Sequence, residues 1–292
     1  MTLVSKTTGH FRSFDGTKIY YEVRGEGRPV VMLYGIGCLI NHWNHQIKYF
    51  SRHYQTIVFD YRAHHKSEMP ESRERLTIDA LAQDVAALLD HLHLEKVSLW
   101  GHSFGAQVAI RTFDMFPERV HDLVFVNGFA TNPMAGMFGN DLASSAFHLL
   151  KEGYQKLPET ISYLWRSAVN NPLAIQLSAL AGGFNLKLTA LKDIEIYARG
   201  IAAIDLDAFL TLFENMMSYD GRSVLDRIDV PTLIIAGRND SVTPREHQEE
   251  MHRRIKRSHF LMVPFGSHCA QLDMPDLVNL KIEQFLGEHG YK

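Results

Sequence analysis

Gly101-His102-Ser103-Phe104-Gly105 is the stretch of this chain best suited to covalent chemistry. It lies between a buried-strand pattern, Val97 to Trp100, and a helical pattern, Ala106 to Phe116. A serine on a sharp strand-to-helix turn needs small neighbours two residues to either side, or the turn cannot close. Its hydroxyl then projects above the sheet at a helix N-terminus, where partial positive charge stabilises developing negative charge. In that context G-x-S-x-G reads as a nucleophile elbow with Ser103 as the nucleophile. A serine attacks only when a base takes its proton and an acid orients the base, and with an elbow the chain order is Ser, acid, His. Asp240 stands just past the apolar run Thr232 to Ala236, and His268 follows the strand pattern Phe260 to Val263. Catalytic groups of α/β sheets gather beyond the strands' carboxyl ends, so all three residues fall on suitable loops.

Rival residues fit less well. Asp220 and Asp226 precede the strand that starts at Val230-Pro231 and suit surface roles, and His259 begins a strand at the opposite end of the sheet. Asn127-Gly128 follows a core strand and offers no carboxylate. His42 and His45 share a helix face and His64-His65 lie on a loop, but no recognised metal-ligand spacing such as H-E-x-x-H occurs, so no metal is expected. No G-x-G-x-x-G opens a βαβ unit and there is no P-loop, so no cofactor is expected. Cys38 and Cys269 read as reduced thiols lining the site; a redox-sensitive pair is the alternative.

The elements that must position these residues alternate. Val30 to Tyr34, Thr56 to Asp60, Val97 to Trp100, Leu123 to Asn127 and Thr232 to Ala236 are short apolar runs, the pattern of strands buried on both faces. Lys18 to Arg24 is a further strand, and the first sixty residues as a whole read as strands. Ile78, Leu81, Val85, Leu88 and Leu89 repeat at helical spacing after Thr77, a capping candidate. Strands alternating with helices predict a parallel sheet covered on both faces. The rhythm breaks between about Thr131 and Arg222. That segment has helical patterns such as Leu188, Leu191, Ile194, Tyr197, Ala198 and Ile201, or Leu206, Phe209, Leu210, Phe213, Met216 and Met217. The expected layout is an α/β core over residues 1–130 and 223–292 with a helical insertion over 131–222.

Taken together, these residues resemble the α/β-hydrolase fold superfamily over nearly the whole chain. The matching motifs are Tyr34-Gly35-Ile36-Gly37, Gly101-His102-Ser103-Phe104-Gly105, Asp240 in Ala236-Gly237-Arg238-Asn239-Asp240, and His268 in Gly266-Ser267-His268. The resemblance implies Ser103 as nucleophile, His268 as general base and Asp240 as its orienter. It also implies an oxyanion hole from the backbone N–H groups of Ile36 and Phe104 and a helical cap formed by the insertion; Gly35, Gly37, Phe129, Phe213 and Met217 are expected beside the substrate. Two departures stand out. Many relatives have His-Gly where this chain has Tyr34-Gly35, and Arg-Gly-x-Gly-x-Ser where it has Arg62-Ala63-His64-His65-Lys66-Ser67. The lost glycines bear on that loop's conformation and on substrate choice.

Composition narrows the function. The 292 residues carry 30 Lys+Arg against 33 Asp+Glu, a net charge of −3, which argues against a nucleic-acid partner. The longest apolar stretch, Val30 to Ile40, falls short of the roughly 20 residues of a spanning helix, so a cytoplasmic protein without a membrane span is expected. Large apolar residues crowd the insertion, among them Phe138, Phe147, Tyr163, Trp165, Phe184, Phe209, Phe213, Met216 and Met217, with no Lys or Arg cluster among them. Some should face a cleft whose opposite wall is Ile36, Phe104 and Phe129. The expected activity is a serine hydrolase acting on a small, uncharged, apolar ester. A cofactor-free perhydrolase, a thioesterase or a carbon–carbon bond hydrolase would use the same triad, and a non-catalytic small-molecule receptor would use the same fold. An aspartate at the elbow, as in relatives that open epoxides or remove halides, is absent. Oligomeric state and natural substrate are not written in the motifs.

Overall fold

A computed structural model describes residues 5–134, 142–169, 171, 173 and 183–291. Its frame is an eight-stranded sheet: β1 (Lys6–Arg12), β2 (Lys18–Arg24), β3 (Arg28–Leu33), β4 (Tyr54–Phe59), β5 (Val97–His102), β6 (Val120–Val126), β7 (Thr232–Gly237) and β8 (Ser258–Val263), ordered β1-β2-β4-β3-β5-β6-β7-β8. From β4 to β8 across the sheet, neighbours run parallel. Only the β1-β2 and β2-β4 pairings are antiparallel. The β5 and β7 strands are buried at every position, as apolar runs inside a two-sided sheet must be. The β1 edge strand alternates and buries only Phe11, which is why it lacks the signature of the inner strands.

Around the sheet lie α1 (Asn44–Phe50), α2 (Ile78–His91), α3 (Phe104–Met115), α4 (Leu142–Lys156), α5 (Pro158–Val169), α6 (Leu191–Ala203), α7 (Leu206–Ser218), α8 (Arg222–Leu225), α9 (Arg245–Arg254), α10 (Ala270–Asp273) and α11 (Pro275–Glu288). The expected cap on α2 is present: Thr77 Oγ1 accepts the Ala80 N–H at 3.1 Å. Between β6 and β7 the described residues contain helices and no strand. The helical pattern from Leu188 to Ile201 starts too early, because Leu188 lies in a turn and α6 begins at Leu191. Phe138 falls outside the described residues.

Register aligns the carboxyl ends that carry the site. Leu33 pairs with Gly101, Gly101 with Phe125, Val126 with Ile235, and Gly237 with Val263. The loops leaving β3, β5, β6, β7 and β8 therefore emerge at one level. Five segments far apart in sequence meet there.

Candidate active site

Ser103 sits between β5 and α3 with φ +53° and ψ −122°, a strained conformation for a non-glycine residue. The flanking glycines are required sterically. A Cβ on Gly101 would lie 2.5 Å from Gly105 O, and one on Gly105 would lie 2.4 Å from Leu33 O. The turn thus closes flat against β3 and turns Ser103 Oγ to His268, whose Nε2 is 3.0 Å away. His268 Nδ1 is 3.0 Å from Asp240 Oδ2. All three side chains are buried.

Asp240 is held from several sides. Its Oδ1 accepts the N–H groups of Val242 and Thr243 at 2.9 and 2.8 Å, and its Oδ2 accepts Thr243 Oγ1–H at 2.6 Å. Burial alone would raise this carboxyl. The adjacent His268 and the Thr243 hydrogen bonds outweigh it and hold the group below the usual carboxylate value. Asn127 adds a further donor, its Nδ2 at 2.7 Å from Asp240 Oδ2 and 3.3 Å from Ser267 O. By residue type, Asn127 shows only that no carboxylate follows β6. The signal was its place directly after a core strand, followed by glycine. Thr243 went unnoticed, one threonine among many.

Phe104 N–H is the first of α3, a position with no intrahelical acceptor. The Ile36 loop opposite is a tight turn: Cys38 N–H donates to Gly35 O at 3.0 Å, and Gly37 at φ +76° supplies the left-handed third residue of a type II turn. Tyr34 fastens the start of this loop. Tyr61 Oη–H donates to Tyr34 O at 2.8 Å, and Tyr34 Oη accepts the Tyr61 N–H at 3.0 Å.

Beside Ser103 and His268 lies a cavity of about 230 Å³ lined by Ile36, Phe129, Pro133, Phe184, Ile201, Phe209, Phe213, Met216, Val242 and Cys269 among others. No Lys, Arg, Asp or Glu is among its described lining residues. Phe129 and Phe213 border this cavity. Met217 does not line the cavity; Met216 does, because Phe209, Phe213 and Met216 fall on one stripe of α7 and the next residue turns about 100° away. Gly35 and Gly37 also stay off the wall: Gly35 packs on His102, Ser103 and Cys38, and Gly37 on Ile201 and Phe209. Phe104 contributes no side chain to the wall, since its ring is buried beneath, 6.0 Å from Tyr61.

Of metal-ligating types among the described residues, Cys38, His42 and His102 bring donor atoms within 4.8 Å of one another. The imidazoles already serve the fold. His102 Nε2–H donates to His268 O at 2.9 Å, and His42 Nε2 faces the Gln271 amide. Burial, with a contribution from His268, lowers His42 to about 3.

Ser103 thus sits on a strained turn within hydrogen-bond reach of an enclosed imidazole–carboxylate pair. A family model for the alpha/beta hydrolase fold matches residues 28–275. The chain belongs to that family. It is 28% identical over 250 residues to 3-oxoadipate enol-lactonase 2 of Acinetobacter baylyi, covering 85% of this chain and 84% of that one. It is 26% identical over 298 residues to human epoxide hydrolase 4, covering 95% of this chain and 78% of that one. The crystal structure of a bromoperoxidase from Bacillus anthracis superposes with a TM-score of 0.78 at 22% identity, covering 97% of this chain and all of that one. This α/β hydrolase thus shares its frame with proteins named for different reactions. No helix among its described residues is long and apolar enough to cross a membrane.

Proposed function

We propose that the chain is a serine hydrolase of uncharged, apolar carboxylic esters, working through an acyl-enzyme on Ser103. The observation that carries this reading is the relay Ser103 Oγ–His268 Nε2, 3.0 Å, and His268 Nδ1–Asp240 Oδ2, 3.0 Å, opening onto an apolar cavity. Ser103 Oγ attacks the ester carbonyl as His268 takes its proton. The negative charge on the carbonyl oxygen is stabilised by the N–H groups of Ile36 and Phe104. His268 returns the proton to the leaving alkoxide, then activates a water that hydrolyses the acyl-enzyme. Asp240 keeps Nδ1 as the protonated nitrogen, so Nε2 is the free base. Ser103 at the elbow separates this mechanism from the aspartate-based one that the resemblance associates with epoxide opening.

Residues 131–222 act as the cap in this reading, with α6 and α7 forming the roof of the cavity. Turnover of p-nitrophenyl esters of increasing acyl length, with Ser103→Ala as the blank, tests the proposal. An organophosphonate should label one serine, and peptide mass mapping should place the adduct on Ser103. Labelling elsewhere, or full turnover in Ser103→Ala, overturns the mechanism. Absence of turnover over the whole series favours the receptor reading, and activity that appears only with added peroxide favours perhydrolysis.

A further inference from the structure

The segment Arg62-Ala63-His64-His65 keeps a glycine-like backbone without glycines. Ala63 has φ +60° and His65 φ +47°, both left-handed. A side chain held in that conformation is strained and persists only where its surroundings fix it. The surroundings do so here. Arg62, fully buried, makes a two-pronged pair with Asp84 at 2.8 and 2.6 Å and reaches Asp15 at 2.8 Å. Ala63 N–H donates to Glu68 O, and Ser67 Oγ–H to Asp60 O.

From this anchored segment two imidazoles reach the Ile36 loop. His64 accepts the Gly37 N–H on Nε2 at 3.4 Å while its Nδ1–H donates to Arg62 O at 3.1 Å. His65 Nε2–H donates to Cys38 O at 2.8 Å. Ile36 lies inside the turn closed by Cys38 N–H on Gly35 O, so a hold on Cys38 limits how the Ile36 N–H can swing.

We propose that His65 is a positioning residue for the oxyanion loop, fastening Cys38 O so that the Ile36 N–H is aimed before substrate arrives. Glycine would adopt the same backbone without strain but has no group to reach Cys38. The strained histidine is therefore best accounted for by its side-chain hydrogen bond. Burial lowers His65, yet Nε2–H can donate from the charged ring and from one neutral tautomer, so the hold does not depend on protonation.

The inference rests on the serine-hydrolase reading, and its test has an arm independent of turnover. His65→Gly and His65→Asn both tolerate the backbone and lose the reach; His65→Gln restores an N–H of similar length. Hydrogen exchange at the Gly37 and Cys38 amides, measured without substrate, should be at least about tenfold faster in the Gly and Asn variants and return toward wild type in Gln. Ester kcat should fall about tenfold or more at unchanged KM in the first two and recover in the third. Ala63→Gly, which changes the same backbone without touching the loop, should keep kcat within about twofold. Wild-type exchange in His65→Gly, or a kcat loss in Ala63→Gly equal to that in His65→Gly, overturns the proposal. A wild-type protein without esterase turnover would instead overturn the hydrolase reading, leaving the exchange comparison to decide on His65.

Discussion

Ala63, His65, Ser103 and Asn127 share a feature that is rare for side-chain-bearing residues: each has a positive φ, and each follows the carboxyl end of β4, β5 or β6. Such conformations cost on the order of 1 to 3 kcal/mol each, and they cluster where geometry serves chemistry. Asn127 is well chosen for its position, since asparagine tolerates the left-handed region and its amide reaches Asp240. Asn127→Gly keeps that backbone and removes only the donor. Because Val242 N–H and both Thr243 donors remain, kcat should fall about tenfold at constant KM, as steady-state kinetics would read. Asp240→Asn replaces the carboxylate itself and lets the imidazole take the wrong tautomer, so kcat should fall about 10⁴-fold with the fold intact by circular dichroism. If the two variants lose activity equally, Asp240 is not the orienting acid. At the elbow the constraint is steric: Gly105→Ala places a Cβ 2.4 Å from Leu33 O, a rigid backbone atom. It should destabilise the protein by roughly 3 kcal/mol or more, visible as a lowered urea midpoint, and a change under about 0.5 kcal/mol would contradict the close contact.

Elements that bury one face or two announce themselves in sequence, and those doing neither do not. β3 to β7 were legible as continuous apolar runs, and α2 and α7 because apolar residues recur at helical spacing. The β1 edge strand was legible only as part of a strand-rich N-terminal region, since one buried residue in seven leaves little pattern. No sequence period reveals that β4 lies between β2 and β3, because sheet order is a long-range choice. The relay was legible because its motif constrains residue type and order. Among its supports, Asn127 and His65 have partners far along the chain, and Thr243, only three residues from Asp240, belongs to no motif that marks it. On α7 the apolar stripe is wide enough that Met216 and Met217 could not be told apart by type, and helix rotation puts Met216 on the wall. The same helix should set chain-length selectivity. Phe213 stacks on Phe147 at 4.8 Å and borders the cavity. For wild type, kcat/KM should rise about fourfold per added methylene, from about 0.8 kcal/mol of burial, until the space is filled. Phe213→Ala should move the best acyl chain to a longer one. An acetate or succinyl-type ester as the preferred wild-type substrate, or an unmoved optimum in the variant, would contradict an apolar acyl pocket under α7.

At the scale of the whole molecule, the buried His42, His64 and His102 link stability to acidity. Burial lowers His42 and His64 to about 3 and holds His102 well below the ordinary histidine value. In the unfolded chain these groups titrate near 6.5. As pH falls below that value the unfolded state takes up protons that the native state refuses, so their contribution to stability, complete above about pH 6.5, declines toward pH 3. Asp60 acts in the opposite sense. Burial raises it to about 6, so between about pH 4 and 6 the native state keeps a proton that the unfolded chain releases, and Asp84, also raised by burial, adds to that effect. Above about pH 6 the histidines dominate. Between pH 7 and 6 the urea-unfolding free energy should therefore drop with decreasing pH. Below 6 the decline continues less steeply than three free histidines would give, each unopposed proton being worth about 1.4 kcal/mol per pH unit. Replacing one enclosed imidazole by a group that cannot titrate isolates its share. His42→Gln leaves an amide opposite Gln271 and should flatten the slope below pH 6.5 by up to one proton, with the difference from wild type shrinking as the pH falls. Urea titrations at pH 5, 6 and 7 on both proteins give the slopes directly. Parallel pH profiles for the two would mean that His42 carries the same proton affinity folded and unfolded, and that burial behind the elbow does not hold it neutral.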